Sequence, residues 1–415
     1  MASRLLETVV REAYGRVLAG LLASGFPLHL AEDALGGALA RAAETWAAEP
    51  PEHPVAWLHT VARRRAIDLR RSESRLQPLT AADNLPTEPL EDVMHDRVGL
   101  DFSALDRTDE RLRLFYLCSH PALEVGVRTP LMLQLVMGMS AEELAPLFLM
   151  EPATLGQRLV RAKQKIRLAA IRPELPSAAE LPSRTEAVRD AIYGLYLRGW
   201  EQPQAERQTE FANLAERLSQ TVADLAHTDA VPPDAALSDP ESDGLAALIL
   251  LSEARRAARR TAGGAFIPLL DQSPDAWDRD RIARGEEYLL RASRARRPGR
   301  FQLEAAIESA WMSRVRTGQP GWEFMRALYD GLVRVAPTYG AQLGRLMVQA
   351  ESGEPEAALR ALDALPEARS YPPYWVLRAH LLGRVGRDAE SSEARRQAHS
   401  MTTDPAVRDF LAGGS

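Results

Sequence analysis

Lysine is almost missing from this chain: of 51 basic residues only Lys163 and Lys165 are lysines, and the rest are arginine. Cysteine occurs once, at Cys118, which excludes an internal disulfide framework and fits a reducing compartment. Aromatics make up 6% of the residues and β-branched runs are scarce, so there is little from which to build strands. No run of 18 apolar residues is present to span a membrane. Charges at Arg4, Glu7, Arg11, Glu12 and Arg16 interrupt the first apolar stretch, so no secretory signal is expected and the expected location is the cytoplasm. The formal net charge of −6 argues against a general polyanion binder, and any nucleic-acid contact must come from local patches.

What is present favours helix. Leucine, alanine and arginine dominate a sequence that is 46% hydrophobic and 26% charged, and the fold class expected is all-α. At 415 residues the chain exceeds one ordinary core and calls for two to four domains. Residues 1–75 read as a helical domain whose last helix runs from about Pro54 to Arg71, with proline in its first turn. Residues 76–109 hold eight carboxylates and three prolines against two arginines and read as an extended acidic linker. Helical periodicity returns over 110–172. From 182 to 415 comes a long helical series, broken once by the Pro/Asp-rich stretch from His227 to Gly244, which reads as a loop. Within that series "GEPEAALRALDAL" from Gly353 and "GRDAESSEARRQA" from Gly386 place glycine and then glutamate at helix starts, the spacing of a tetratricopeptide-like repeat of about 34 residues.

The strongest local pattern is "MSAEELAPLFLMEPATLGQRLVRAKQKIR". Ser140 with Glu143 forms a capping box ahead of the stripe Leu144, Leu147 and Phe148. Glu151-Pro152 offers a second helix start. At 100° per residue Leu155, Leu159, Ala162 and Ile166 fall on one face of that second helix, and Thr154, Gln157, Arg158, Arg161 and Lys165 on another. Two short helices joined by a tight turn, the second outwardly Thr, Gln, Arg and Lys, match a helix-turn-helix whose recognition helix enters the major groove. Gln suits adenine, Arg suits guanine, and a further Arg or Lys can hold phosphate. A basic solvated face gives the same pattern without DNA.

A second basic helix, "PVAWLHTVARRRAIDLRRSESR", carries six arginines against Asp68 and Glu73 between Arg63 and Arg75. With it the sequence resembles the extracytoplasmic-function class of bacterial σ factors of the σ70 family. "LAEDALGGALARAAETW" is similar to regions 2.1–2.2, "PVAWLHTVARRRAIDLRR" to regions 2.3–2.4, and "DERLRLFYLCSHPAL" with the helix-turn-helix to region 4. The remainder resembles a subgroup with a tetratricopeptide-like C-terminal extension, through "GLAALILLSEARRAARR", "LLDQSPDAWDRDRI", "GRFQLEAAI" and "LLGRVGRDAE". The resemblance implies core RNA polymerase and promoter DNA as partners, with no cofactor and no small-molecule substrate. It implies polymerase contact through Glu32, Asp33 and Leu35, and −35 reading through Thr154, Gln157, Arg158, Arg161 and Lys165. It also implies −10 melting along Trp57, His59, Thr60, Arg63, Arg64 and Arg71, with a flipped base held near the segment from Ala47 to Pro54. The extension is expected to regulate the σ core, by docking on it or on polymerase.

Departures from the pattern are specific. Gly36-Gly37 stands inside the polymerase-binding helix, where each glycine costs roughly 0.5–1 kcal/mol relative to alanine and the pair could kink the helix. "YGLYLRGWEQ" and "YGAQLGRLMVQAE" stand where the subgroup carries an Asn-Glu-Gly-Tyr block and an Asn-Arg-Ala motif. Cys118 and His120 lack a ligand cluster and read as core residues rather than a nucleophile or metal pair. No enzyme chemistry is expected. The rival readings are a free-standing helix-turn-helix regulator and a helical-repeat scaffold with a decayed σ core.

Overall fold

Proline in the first turn and a hydroxyl or carboxylate cap recur at helix starts in the computed structural model. The structure describes residues 14–46, 50–76, 109–148, 150–173, 176–177, 180–201, 206–225, 239–317 and 321–413. The acidic linker and the first part of the expected loop, residues 226–238, lie outside them. Among the described residues there are helices and no strand, with one isolated bridge pairing Arg260 and Phe266. The chain divides into two units, residues 1–192 and 193–415.

In the first unit, α1 (residues 14–23), α2 (Leu28–Thr45) and α3 (Pro54–Leu76) precede α4 (Asp109–Cys118), α5 (Val125–Met137), α6 (Ala141–Leu144) and α7 (Pro152–Leu168). The unit continues into α8 (Leu181–Glu201) as far as Ile192, ten residues beyond the boundary expected at 182. Arg184 makes that join: its guanidinium is buried, donates to the Tyr116 carbonyl, and donates from Nε to Ser119 Oγ at 3.3 Å. α2 runs unbroken through Gly36-Gly37, so the pair does not end the helix. Leu28, Ala31, Leu35, Ala38 and Ala42 form its buried stripe, and Trp46 at its end meets Trp57 of α3 edge to face at 5.4 Å.

Glycine also sets how closely α1 and α5 approach. A Cβ at Gly15 would lie 2.1 Å from the Val136 carbonyl oxygen. Gly138 ends α5 at φ 64°, donating to the Gln134 carbonyl at 2.8 Å, and the Tyr14 ring covers its bare Cα. A side chain at either position would push the two helices apart.

The second unit stacks α9 (Glu206–Leu225), α10 (Pro240–Ala254), α11 (Arg279–Ser293), α12 (Arg300–Thr317), α13 (Trp322–Val335), α14 (Tyr339–Glu351), α15 (Pro355–Asp363), α16 (Pro372–Arg384), α17 (Asp388–Met401) and α18 (Pro405–Ala412). α10 is apolar nearly all round and accordingly buried, with α9, α11 and α12 packed on it. Its start corrects the loop expected to reach Gly244. Asp239 caps the helix, accepting from Glu241 N at 3.3 Å and Ser242 Oγ at 2.6 Å, and Pro240 fills the first turn, so residues 240–244 are helical. Gly353 and Gly386, at φ 100° and 75°, each close one helix and lead into the next, α15 and α17. In both turns the following N–H reaches back to a carbonyl five residues earlier, Glu354 to Gln349 and Arg387 to Leu382. The two matched glycines thus make matched turns.

Candidate nucleic-acid interface

The capping box forms as its spacing requires: Ser140 N donates to Glu143 Oε2 at 2.9 Å, and Glu143 N to Ser140 Oγ at 3.3 Å. α6 continues as a 3₁₀ turn over Ala145–Phe148, and Glu151 precedes α7 with Pro152 in its first turn. Leu155, Leu159, Ala162 and Ile166 are buried, while Thr154, Gln157, Arg161 and Lys165 are exposed. Arg161 Nη2 lies 3.5 Å from Gln157 Oε1. Arg158 differs from its neighbours. It is half-buried, with one nitrogen on the exposed Glu124 carboxylate and another 3.5 Å from Met150 Sδ. Its guanidinium is therefore held by partners within the first unit.

Along α3 the arginines at 63, 64 and 71 are exposed, as is Thr60; Trp57 and His59 are half-buried. Burial, and secondarily the Arg63 charge, lower the pKa of His59 below its ordinary value. At neutral pH it is an uncharged imidazole rather than a phosphate-binding cation. Arg65 takes a different role: its side chain crosses Gly37, where a Cβ would lie 2.0 Å from Nε. A cavity of about 460 Å³ opens at the start of α3, walled by Arg16, Val17, Glu52, His53, Pro54, Val55, Ala56 and His59. It lies within the size range of small-ligand pockets, beside the segment assigned to a flipped base. Of that segment, Ala47, Ala48 and Glu49 lie outside the described residues.

The three residues assigned to polymerase are placed differently from one another. Asp33 is exposed; Leu35 is fully buried in the α2 core. Glu32 accepts a hydrogen bond at 2.6 Å from Lys163 Nζ, and both side chains are mostly covered. One of the two lysines is thus turned inward from α7, a placement that the 131 residues between the partners hid from sequence reasoning. Cys118 is fully buried, and burial pushes its thiol well above its usual range. His120 Nδ1 accepts from Ala122 N at 3.1 Å within a turn. No group of three or more His, Cys, Asp or Glu that could hold a metal occurs among the described residues, and none of the described helices is long and apolar enough to cross a membrane.

The comparisons touch both units. Residues 184–293 match a family of unknown function, DUF6596. The chain is similar to an uncharacterized protein of Rhizobium meliloti (strain 1021), 33% identical over 391 residues that cover 92% of this chain and 89% of that protein. No solved structure matches it.

Proposed function

We propose that this chain, which belongs to the same family as that Rhizobium meliloti protein, is an alternative σ factor of the extracytoplasmic-function type. In this reading it binds core RNA polymerase and directs promoter-specific initiation, and a tetratricopeptide-like extension regulates it. The observation that carries the reading is the pairing of two basic helical surfaces in one unit. The outward face of α7 carries the Thr, Gln, Arg and Lys of a helix-turn-helix reader, and α3 presents its arginines beside a cavity of about 460 Å³, where an unstacked base would lie in this reading. A net negative chain can work this way because polymerase supplies most of the DNA affinity.

The closed pairing of Glu32 with Lys163 adds a condition. Glu32 is paired with Lys163, so in this reading its engagement by polymerase requires that ion pair to open. The deciding experiment is run-off transcription with purified chain and core enzyme on a panel of promoters. Promoter-dependent transcripts that require this chain are expected. DNA binding without polymerase binding would favour a free-standing regulator, and neither activity would favour the scaffold.

A further inference from the structure

Five of the nine tyrosines, Tyr193, Tyr196, Tyr329, Tyr339 and Tyr371, wall a single cavity of about 590 Å³ in the second unit. Leu248, Ile307 and Leu332 add apolar wall, and Glu304, Glu308 and Arg300 supply charge. We propose that this cavity binds a small organic cation, an ammonium or amidinium group carried on an apolar or aromatic body.

The case begins with Glu304 and Glu308, one turn apart on α12 and both lining the cavity. Like charges at this spacing oppose helix formation. Their side chains are 19% and 21% exposed, so both are largely withdrawn from water. Each commits only one oxygen to an arginine. Glu304 Oε1 accepts from Arg300 Nε at 2.9 Å, and Glu308 Oε2 accepts from Arg255 at 2.6 Å and 3.2 Å. Among the described residues, no donor reaches the second oxygen of either carboxylate. Two half-satisfied, partly desolvated carboxylates facing one space are acceptors for a cationic donor.

Tyrosine faces supply the rest of a cation site. The Arg300 guanidinium already sits 4.8 Å from the centre of the Tyr193 ring, so this wall holds one positive charge against an aromatic face. Aromatic walls around a carboxylate are the usual means of holding organic ammonium groups. Burial foremost, and then the nearby carboxylates, push the Tyr193 and Tyr329 phenols up to about 12, and burial raises the Glu304 carboxyl. An anion would find the two arginines already committed: Arg255 is buried and also bonds Gln272 at 3.2 Å.

The inference does not rest on the transcription reading, because binding is measured on the purified full chain alone. The probes are benzyltrimethylammonium, benzyl alcohol and benzoate, titrated by calorimetry. Benzyltrimethylammonium is expected to bind saturably, with the other two weaker by about tenfold or more. Glu304→Gln with Glu308→Gln is expected to reduce cation binding by about tenfold while helical circular dichroism is kept. Should that pair of changes disturb folding, Tyr339→Leu at the exposed mouth is expected to weaken cation binding several-fold in an intact chain. Benzoate or benzyl alcohol binding as well as the cation, or no probe binding at millimolar concentration, overturns the proposal. So does full cation affinity in the folded glutamine variant or, where that variant does not fold, in the folded leucine variant.

Discussion

Lys163 Nζ lies 2.6 Å from Glu32 Oε1, joining the recognition-type helix α7 to α2 across 131 residues of sequence. Both side chains are mostly covered, at 27% and 17% exposure, so the pair is neither a surface ion pair nor a deeply buried one. Lys163→Ala leaves a mostly covered carboxylate without its donor and is expected to destabilise the first unit by about 1–3 kcal/mol. Exchanging the charges, Glu32→Lys with Lys163→Glu, is expected to recover part of that loss, as urea unfolding would show. In the proposed reading Lys163→Ala also frees Glu32, and more of the folded chain is expected to be captured by immobilised core polymerase. Equal capture of wild type and variant would detach the pair from polymerase binding.

The two lysines are expected to separate in DNA binding. Lys165 is exposed on the outward face of α7, whereas Lys163 is tied inward. Lys165→Ala should weaken binding evenly across sequences and lower the salt slope by about 1, and Lys163→Ala should leave the slope where it was. Arg158→Ala should cost about 1–3 kcal/mol at one base position. Glu124→Gln removes the carboxylate that holds Arg158 and should tighten binding a few-fold. Fluorescence anisotropy at several salt concentrations measures all four, and equal slopes for the two lysine variants would count against this placement of α7.

How far these residues could be read from sequence depends on the range of the interaction. The faces of α7 follow from a 100° rotation per residue, and the Ser140–Glu143 box from a spacing of three, so both were legible in the order of residues. Gly353 and Gly386 were legible as turns ahead of helix starts because each acts within its own turn. Leu35 was assigned to polymerase by resemblance alone, and its burial on the α2 stripe became visible only once α2 had neighbours. The Glu32–Lys163 pair and the tyrosine cavity join residues that are far apart in sequence. No periodicity marks them. The reach of α10 back to Pro240 was hidden by the Pro/Asp composition that also makes a good helix start.

Gly36 and Gly37 are expected to behave differently despite being adjacent. Nothing meets a Cβ at Gly36, whereas one at Gly37 would meet the Arg65 side chain at 2.0 Å. Gly36→Ala should raise stability by about 0.5–1 kcal/mol, the ordinary gain in helix propensity. Gly37→Ala gains the same propensity but must turn Arg65 out of its path, so its net gain should be smaller or negative. Thermal unfolding of the two variants tests this, and equal gains would show that Arg65 moves without cost.

His59 gives the first unit a pH response whose sign follows from its burial. Its pKa is lowered in the folded chain, first by burial and then by Arg63, so below pH 6.5 the unfolded chain binds the proton more readily than the folded one. The contribution is fully present above the unfolded value of about 6.5, declines as pH falls through it, and levels off below the folded value. His59→Gln should flatten that part of the stability profile between pH 7 and pH 5, read by urea midpoints at each pH. The same imidazole borders the cavity at the start of α3. An exocyclic amine or carbonyl of an unstacked base can pair with the neutral ring, whereas protonation adds charge and removes its acceptor. Binding of a single-stranded −10 oligonucleotide by the polymerase-bound chain should therefore change through the pH range in which His59 titrates, and the glutamine variant should show no such step.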